Sequence, residues 1–359
     1  MRHKRTVRHV VGNILGEGHT VRHVVVHLLT PLLMCFGMGL SYLGAFHAPQ
    51  AHTHGLKVAV VGTSARSHLL AQAVKDKAGD ALDVTTVPDR AAARRQIMDR
   101  DLVAAYVPSP RHAELLVAEA NSDTSAEAAE EVFTAVAARQ GASLEVTDLS
   151  RSASGDPTHT SLFFLLVALS VGSYAGVAAI VATGAALSVW TRAAIGIATA
   201  LAVSVIGAVL AGPCFHVVDH DLWGVWGMAL MYSAGILTIG IGLHTFLKRS
   251  TTLVLMVLFV MLNFTSSGGV FEPELQNGFF GALHAFWNGA GFVEGVRSLL
   301  YFDSAGLGSR ILSLVLWLVA GLLLVAAAAI AERRTTSVPA PVTPREADAL
   351  EEMGEAVAV

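Results

Sequence analysis

The sequence predicts a polytopic α-helical membrane protein: six transmembrane helices, a small extracytoplasmic α/β domain between helices one and two, and a re-entrant helical hairpin after helix five. Three observations lead there. The chain of 359 residues is 53% hydrophobic and only 14% charged, whereas soluble domains carry about 25% charged residues. Its apolar residues gather in runs close to the roughly 20 that a helix needs to cross a hydrocarbon core of about 30 Å. Between the first and second of these runs, residues 47–160 are polar and show their own alternation of strand and helix patterns.

Residues 1–23 read as a cytoplasmic amphipathic helix. Val7, Val10, Val11, Ile14 and Leu15 follow the i, i+3, i+4, i+7, i+8 pattern beside Arg5, Arg8 and His9, and Gly16 and Gly18 break the run. A basic amphipathic helix lies along the inner membrane surface, where its cations meet the anionic headgroups of membrane lipids. Helix one, residues 24–46, follows these basic residues and exceeds the 7–15 apolar residues of a signal peptide, so it is expected to stay as an anchor.

The extracytoplasmic segment, 47–160, opens with the strand LKVAVV ending at Gly62 and a helix over Ala65 to Lys77. LDVTTV before Pro88, DLVAAYVP, AELLVAEA and LEVTDL supply further strands. From Ser125 to Gln140, Ala129, Val132, Phe133 and Val136 recur at helical spacing while Glu127, Glu130, Glu131 and Arg139 take the other face. Transmembrane helices two to six occupy 161–331: about Ser161 to Thr183, Ala193 to Gly212, Gly224 to Leu247, a short one from Thr251, and Ile311 to Ala331. Residues 332–359 are Pro-rich and then acidic, the composition of a disordered cytoplasmic tail.

Orientation follows from the basic residues, which stay on the cytoplasmic side. With the basic N-terminus inside, Arg192, Lys248, Arg249, Arg333 and Arg334 all fall inside as well, and Arg310 is the one exception. The expected location is the cell (plasma) membrane, multi-pass, with both termini cytoplasmic. The linker PCFHVVDHDLWG, on the outside, carries no Lys or Arg.

The stretch after helix five breaks the pattern. TTLVLMVLFVML runs into NFTSSGGVFEP, and the chain continues half-apolar without another clean span. Backbone that leaves the helix inside lipid must be buried in protein or face water, because its polar groups are otherwise unsatisfied. A re-entrant hairpin over 265–302, two short helices turning at Gly289 and Gly291, fits this. Asn263, Ser266, Ser267, Gly268, Gly269, Pro273, Glu294 and Arg297 then either line a cavity or interface near the outer face or anchor a loop at the headgroups; Glu272 and Glu274 belong with them.

This layout, with Asn263, Ser267, Gly268, Gly269 and Pro273 at the break and Arg297, Tyr301 and Phe302 closing the hairpin, resembles the membrane subunits of type-2 ABC exporters. It is equally similar to the phage infection protein (YhgE/Pip) family. The resemblance implies a homodimer or heterodimer whose shared centre, capped by the hairpins, passes an amphipathic or polymeric substrate outward with a separate ATPase subunit in trans. Arg8, Val10, Val11 and Arg192 are the matching candidates for cytosolic coupling. The chain departs from the type-2 pattern in the very short link between helices two and three, and in lacking a second proline within the hairpin, where His284 and Trp287 stand instead. The alternative is a Pip-like surface receptor, or a scaffold of a secretion complex, without transport activity.

Other chemistry is excluded or weak. The spans contain essentially no Asp, Glu, Lys or Arg, so they lack the charged intramembrane site that ion-coupled transporters use. No G-x-x-x-x-G-K-[ST] sequence occurs. A lone Gly62 after a strand makes no dinucleotide fingerprint. His216, Asp219, His220 and Asp221 offer metal-ligand types on one external turn, as His47, His52 and His54 do on another, but without a placed further ligand the expectation is a solvated loop. Cys35 and Cys214 make a poor disulfide pair. The net charge of −4 says little by itself, since the placement of Lys and Arg carries the information; with no nucleophile paired with a base no enzyme is expected, nor a cofactor, a metal or a nucleic acid partner.

Overall fold

The computed structural model describes residues 55–150, 153, 155–156, 159–184, 186–270, 273–276 and 278–336. The amphipathic helix (1–23), helix one (24–46) and residues 337–359 lie outside the described residues, as do His47, His52, His54 and Cys35. Among the described residues the chain is mostly helical, with one five-stranded sheet. Four helical segments among the described residues are long and apolar enough to cross a membrane: Ser161–Thr183, Val189–Cys214, Leu222–Ser266 and Leu307–Arg334.

The sheet forms from β1 (Leu56–Val61), β2 (Leu82–Val87), β3 (Ala104–Val107), β4 (His112–Val117) and β5 (Ser143–Asp148), in the order β2-β1-β3-β4-β5. Only β3 and β4 pair antiparallel, since residues 108–111 allow a hairpin whereas parallel neighbours need a crossover. The helices between them are α1 (Ala65–Ala78), α2 (Arg90–Met98) and α3 (Asp123–Arg139). Ser64, Asp89 and Ser122 cap them, accepting from the backbone N–H of Ser67, Ala92 and Ser125, each worth about 1 kcal/mol. Helix α2 escaped the sequence reading, because RAAARRQIM buries only Ala92, Ala93 and Ile97 and presents no long apolar stripe.

Strand periodicity explains how the sheet is mounted. Val58 and Val60 point to one face, where α1 and α3 cover them with Ala71, Val74, Ala129 and Phe133. Ala59 and Val61 point to the other, where Ala93 and Ile97 of α2 join a core continuous with Leu162, Leu166 and Val225 of the helical bundle. One face of the sheet is closed by its own helices and the other faces the bundle, so the two are packed together.

The bundle comprises α4 (Ser161–Thr183), α5 (Val189–Val209, continued by a π turn at Leu210–Cys214), α6 (Leu222–Leu247), α7 (Thr251–Met256), α8 (Leu262–Ser266) and α11 (Leu307–Thr336). Helix α6 is central and is buried over most of its length from Val225 to Gly242. Against it α11 approaches closely at Gly242 and Gly321, the small-residue packing by which membrane helices gain contact without a hydrophobic drive. The stretch Leu222–Ser266 is not one long span. It reverses at Lys248, whose φ is 49°, and folds into antiparallel arms, as three pairings show: His244 with Thr251, Gly240 beside Leu255, and Tyr232 with Asn263. The second arm, Thr251 to Ser266, is about 24 Å long at 1.5 Å per residue, short of a full crossing.

The two ends of the bundle differ. At one end Arg192 pairs with Glu332, Val189 N–H donates to the same carboxylate, and Lys248, Arg249, Arg333 and Arg334 follow. At the other end, Gly155 N–H donates to His216 O, His220 meets Leu300 O, and the sheet packs. Residues 332–336, read from sequence as the start of a disordered tail, are helical, and Glu332 among them is tied to α5. The outer faces of α4, α5 and α11 leave Phe164, Ile206, Leu312, Leu316, Leu323 and Ile330 exposed, far more apolar surface than a water-soluble fold leaves bare.

Candidate functional site

The second arm ends at Ser267, where Gly268 takes a φ of +73°, a conformation that glycine adopts at no steric cost. A helix end strands carbonyls without partners, and here the following hairpin supplies them. Gln276 Nε2 donates to Thr265 O at 3.0 Å and His284 Nδ1 donates to Ser266 O at 3.0 Å. Ser267 Oγ donates to Phe264 O and accepts from Gly269 N–H. Further up, the arm loosens into a π turn at Val257–Met261, and the indole of Trp287 donates to Leu258 O at 3.2 Å. Asn263, Ser266 and Ser267 are fully buried in protein, which is what an interrupted helix among apolar surroundings requires.

The hairpin consists of α9 (Gly278–His284) and α10 (Asn288–Tyr301). It does not turn at Gly289 and Gly291; the turn falls at residues 285–287, and both glycines lie in the first turn of α10. Their smallness serves packing instead, since a Cβ on Gly289 would collide with the Asn263 amide.

Glu294 on α10 is wholly buried. One carboxylate oxygen takes Arg297 Nη1 at 2.7 Å and the other takes Arg100 Nη2. Arg100 comes from the sheet module, in the turn after α2, with a φ of 65°. It also donates from Nε to Asn121 Oδ1 at 2.7 Å and lies 5.3 Å over the Phe302 ring. Burial pushes the Glu294 carboxyl up, but Arg100 and Arg297, with Arg310 behind them, outweigh it and hold the group below the usual carboxylate range. His284 is shifted down, chiefly by burial, and is therefore a neutral imidazole. Its Nδ1–H is committed to Ser266 O, so its Nε2 carries the lone pair.

These groups border a polar cavity of about 320 Å³ between the sheet module and the hairpin, lined by Lys57, Asp99, Arg100, Asp101, Asn121, Pro273, His284, Glu294, Ser309 and Arg310 among others. Of the sequence-predicted residues, Glu294 and Pro273 line it. Arg297 supports Glu294 from behind, and Gly268 packs against His284 and Glu294. Asn263, Ser266, Ser267 and Gly269 do not reach it. Asn263 donates to the Tyr232 hydroxyl inside the bundle, and that hydroxyl meets Ser170 Oγ at 2.5 Å; Gly269 abuts Phe163. Phe302 sits beneath Arg100, while Tyr301 packs edge-on against His159. The side chains of Glu272 and Glu274 lie outside the described residues.

Arg192, offered as a coupling residue, is buried at the opposite end in its pair with Glu332; Arg8, Val10 and Val11 lie outside the described residues. His220 uses one ring nitrogen on Asp219 and the other on Leu300 O, and no group of three or more His, Cys, Asp and Glu gathers among the described residues. Cys214 is an exposed free thiol. Sequence reasoning missed Lys57, Arg100, Asn121 and Gln276, whose roles depend on how the sheet docks. It met Arg310 only as an exception to the charge rule and His284 only in place of a proline. No family model, curated protein or solved structure matches this chain.

Proposed function

We propose that the chain is the membrane (permease) subunit of a type-2 ABC-like exporter. It is a plasma-membrane dimer that moves an unidentified substrate outward with an ATPase supplied in trans. Six helices cross or enter the bilayer, counting residues 24–46 and the two arms of Leu222–Ser266, and both termini are cytoplasmic. The sheet module stands outside. The observation that carries this reading is the interrupted second arm, its freed carbonyls taken up by Gln276 and His284 of a hairpin that borders a polar cavity. The segregation of Arg192, Lys248, Arg249, Arg333 and Arg334 at the end remote from the sheet supports the orientation.

The test is affinity purification of the tagged full chain in mild detergent, with its mass measured by light scattering. Co-purification of an ATPase with a dimer is expected; a monomer with no ATPase removes the exporter reading. A second reading, a Pip-like receptor or secretion scaffold that moves nothing, is favoured by one feature: residues 184–188 form a very short link whose Arg192 is already used by Glu332. Replacing Arg8, Val10 and Val11 with Glu separates the two, because a powered permease loses coupling and a receptor does not.

A further inference from the structure

We propose that the junction cavity binds a small zwitterion, one molecule carrying both an ammonium and a carboxylate or phosphate. The inference rests on reading this junction as the functional site, and not on export. Its first ground is the charge left unmatched. Arg100 and Glu294 are saturated by each other, by Arg297 and by Asn121. Lys57 and Arg310, by contrast, make no side-chain hydrogen bond or ion pair among the described residues, and neither do Asp99 and Asp101, yet all four line the same cavity. A simple anion seated on Lys57 and Arg310 would face Asp99, Asp101 and Glu294; a simple cation seated on the aspartates would face Lys57 and Arg310. Only a ligand with both signs leaves neither set opposed.

The second ground is His284. It is 6% exposed, its Nδ1–H is spent on Ser266 O, and its ring lines the cavity with no hydrogen bond to Nε2 among the described residues. An imidazole edge on the cavity wall can accept from an ammonium N–H. The third is size. About 320 Å³ holds roughly ten heavy atoms at a water's share of about 30 Å³ each, which suits a free amino acid or the phosphoethanolamine headgroup of a lipid.

The test is titration calorimetry on the full-length protein in a maltoside detergent, with alanine, phosphoethanolamine and dihexanoyl-phosphatidylethanolamine as zwitterions and inorganic phosphate, acetate and ethylamine as their single-charge halves. At least one zwitterion is expected to bind about tenfold or more tightly than either of its halves. Arg310→Gln and Lys57→Gln should each weaken it about tenfold, and Lys57, being exposed, should do so with an unchanged melting temperature. Tighter binding of the lipid than of alanine assigns the site to headgroups, and the reverse assigns it to free amino acids. Absence of saturable zwitterion binding, no zwitterion binding more tightly than its single-charge halves, or unaltered affinity in both variants overturns the proposal. Because calorimetry needs no ATPase, failure to find an ATPase partner leaves this result standing, and the two readings fail separately.

Discussion

Glu294 is a buried carboxylate at the wall of the cavity, and its two guanidinium partners come from different parts of the chain: Arg297 from one turn further along its own helix, Arg100 from the sheet module. Removing its charge leaves two buried cations facing each other, a change that typically costs about 3–5 kcal/mol. Glu294→Gln should therefore lower the melting temperature sharply, and adding Arg100→Gln should recover part of the loss, a coupling that a double-mutant cycle measures directly. Acid should act in the same direction. Both Glu294 and His284 have folded-state values shifted down, so the unfolded chain takes up protons first and stability falls as pH falls. The His284 phase begins below about 6.5 and the Glu294 phase below about 4.5. Melting temperatures recorded from pH 7.5 to 4 should decline in that order, and His284→Gln should remove the earlier phase. At this scale the sequence was half legible. Glu294 and Arg297 stood out as charges inside a half-apolar hairpin, but Arg100 is 194 positions away from Glu294 and nothing local marks it as their partner.

The broken arm is the element on which the site depends. Gly268 is needed for its φ of +73° and for the space taken by His284, so Gly268→Ala should cost at least about 1–2 kcal/mol of backbone strain, seen as a lower melting temperature. Gly289→Ala should also destabilise, by displacing the Asn263 amide, whereas Gly278→Ala, with open space around its Cβ, should be neutral or slightly stabilising. Comparing the three separates close approach from a general need for glycine. The break itself was readable, because Ser-Ser-Gly-Gly after a short apolar run has no other good explanation in lipid. What fills the break was not: Gln276 and His284 act through single carbonyls, and a side chain's reach across a turn leaves no periodicity. The hairpin turn was misplaced for a related reason. Gly289 and Gly291 are as compatible with a helix packed close to Asn263 as with a turn, and only the packing distinguishes them.

At the scale of the molecule, a sheet module sits on one end of an apolar bundle and basic residues crowd the other. Apolar run length and alternating strand patterns made both parts visible in the sequence, since those signals are local. The docking of the α2 face onto the bundle was not visible, because it depends on Ala59, Val61 and Ile97, ordinary core residues in any α/β layer. Yet that docking brings Lys57, Arg100 and Asp101 to the hairpin. The claim that everything else depends on is that this junction opens to water on the face opposite the basic end. It is tested most directly in a background with Cys35 and Cys214 replaced by Ala, by placing single cysteines at Ser309 in the cavity wall and at Arg249 in the basic turn. A membrane-impermeant maleimide applied to intact cells should label the first at once and the second only after permeabilisation; labelling of Arg249→Cys from outside with Ser309→Cys protected would contradict the account.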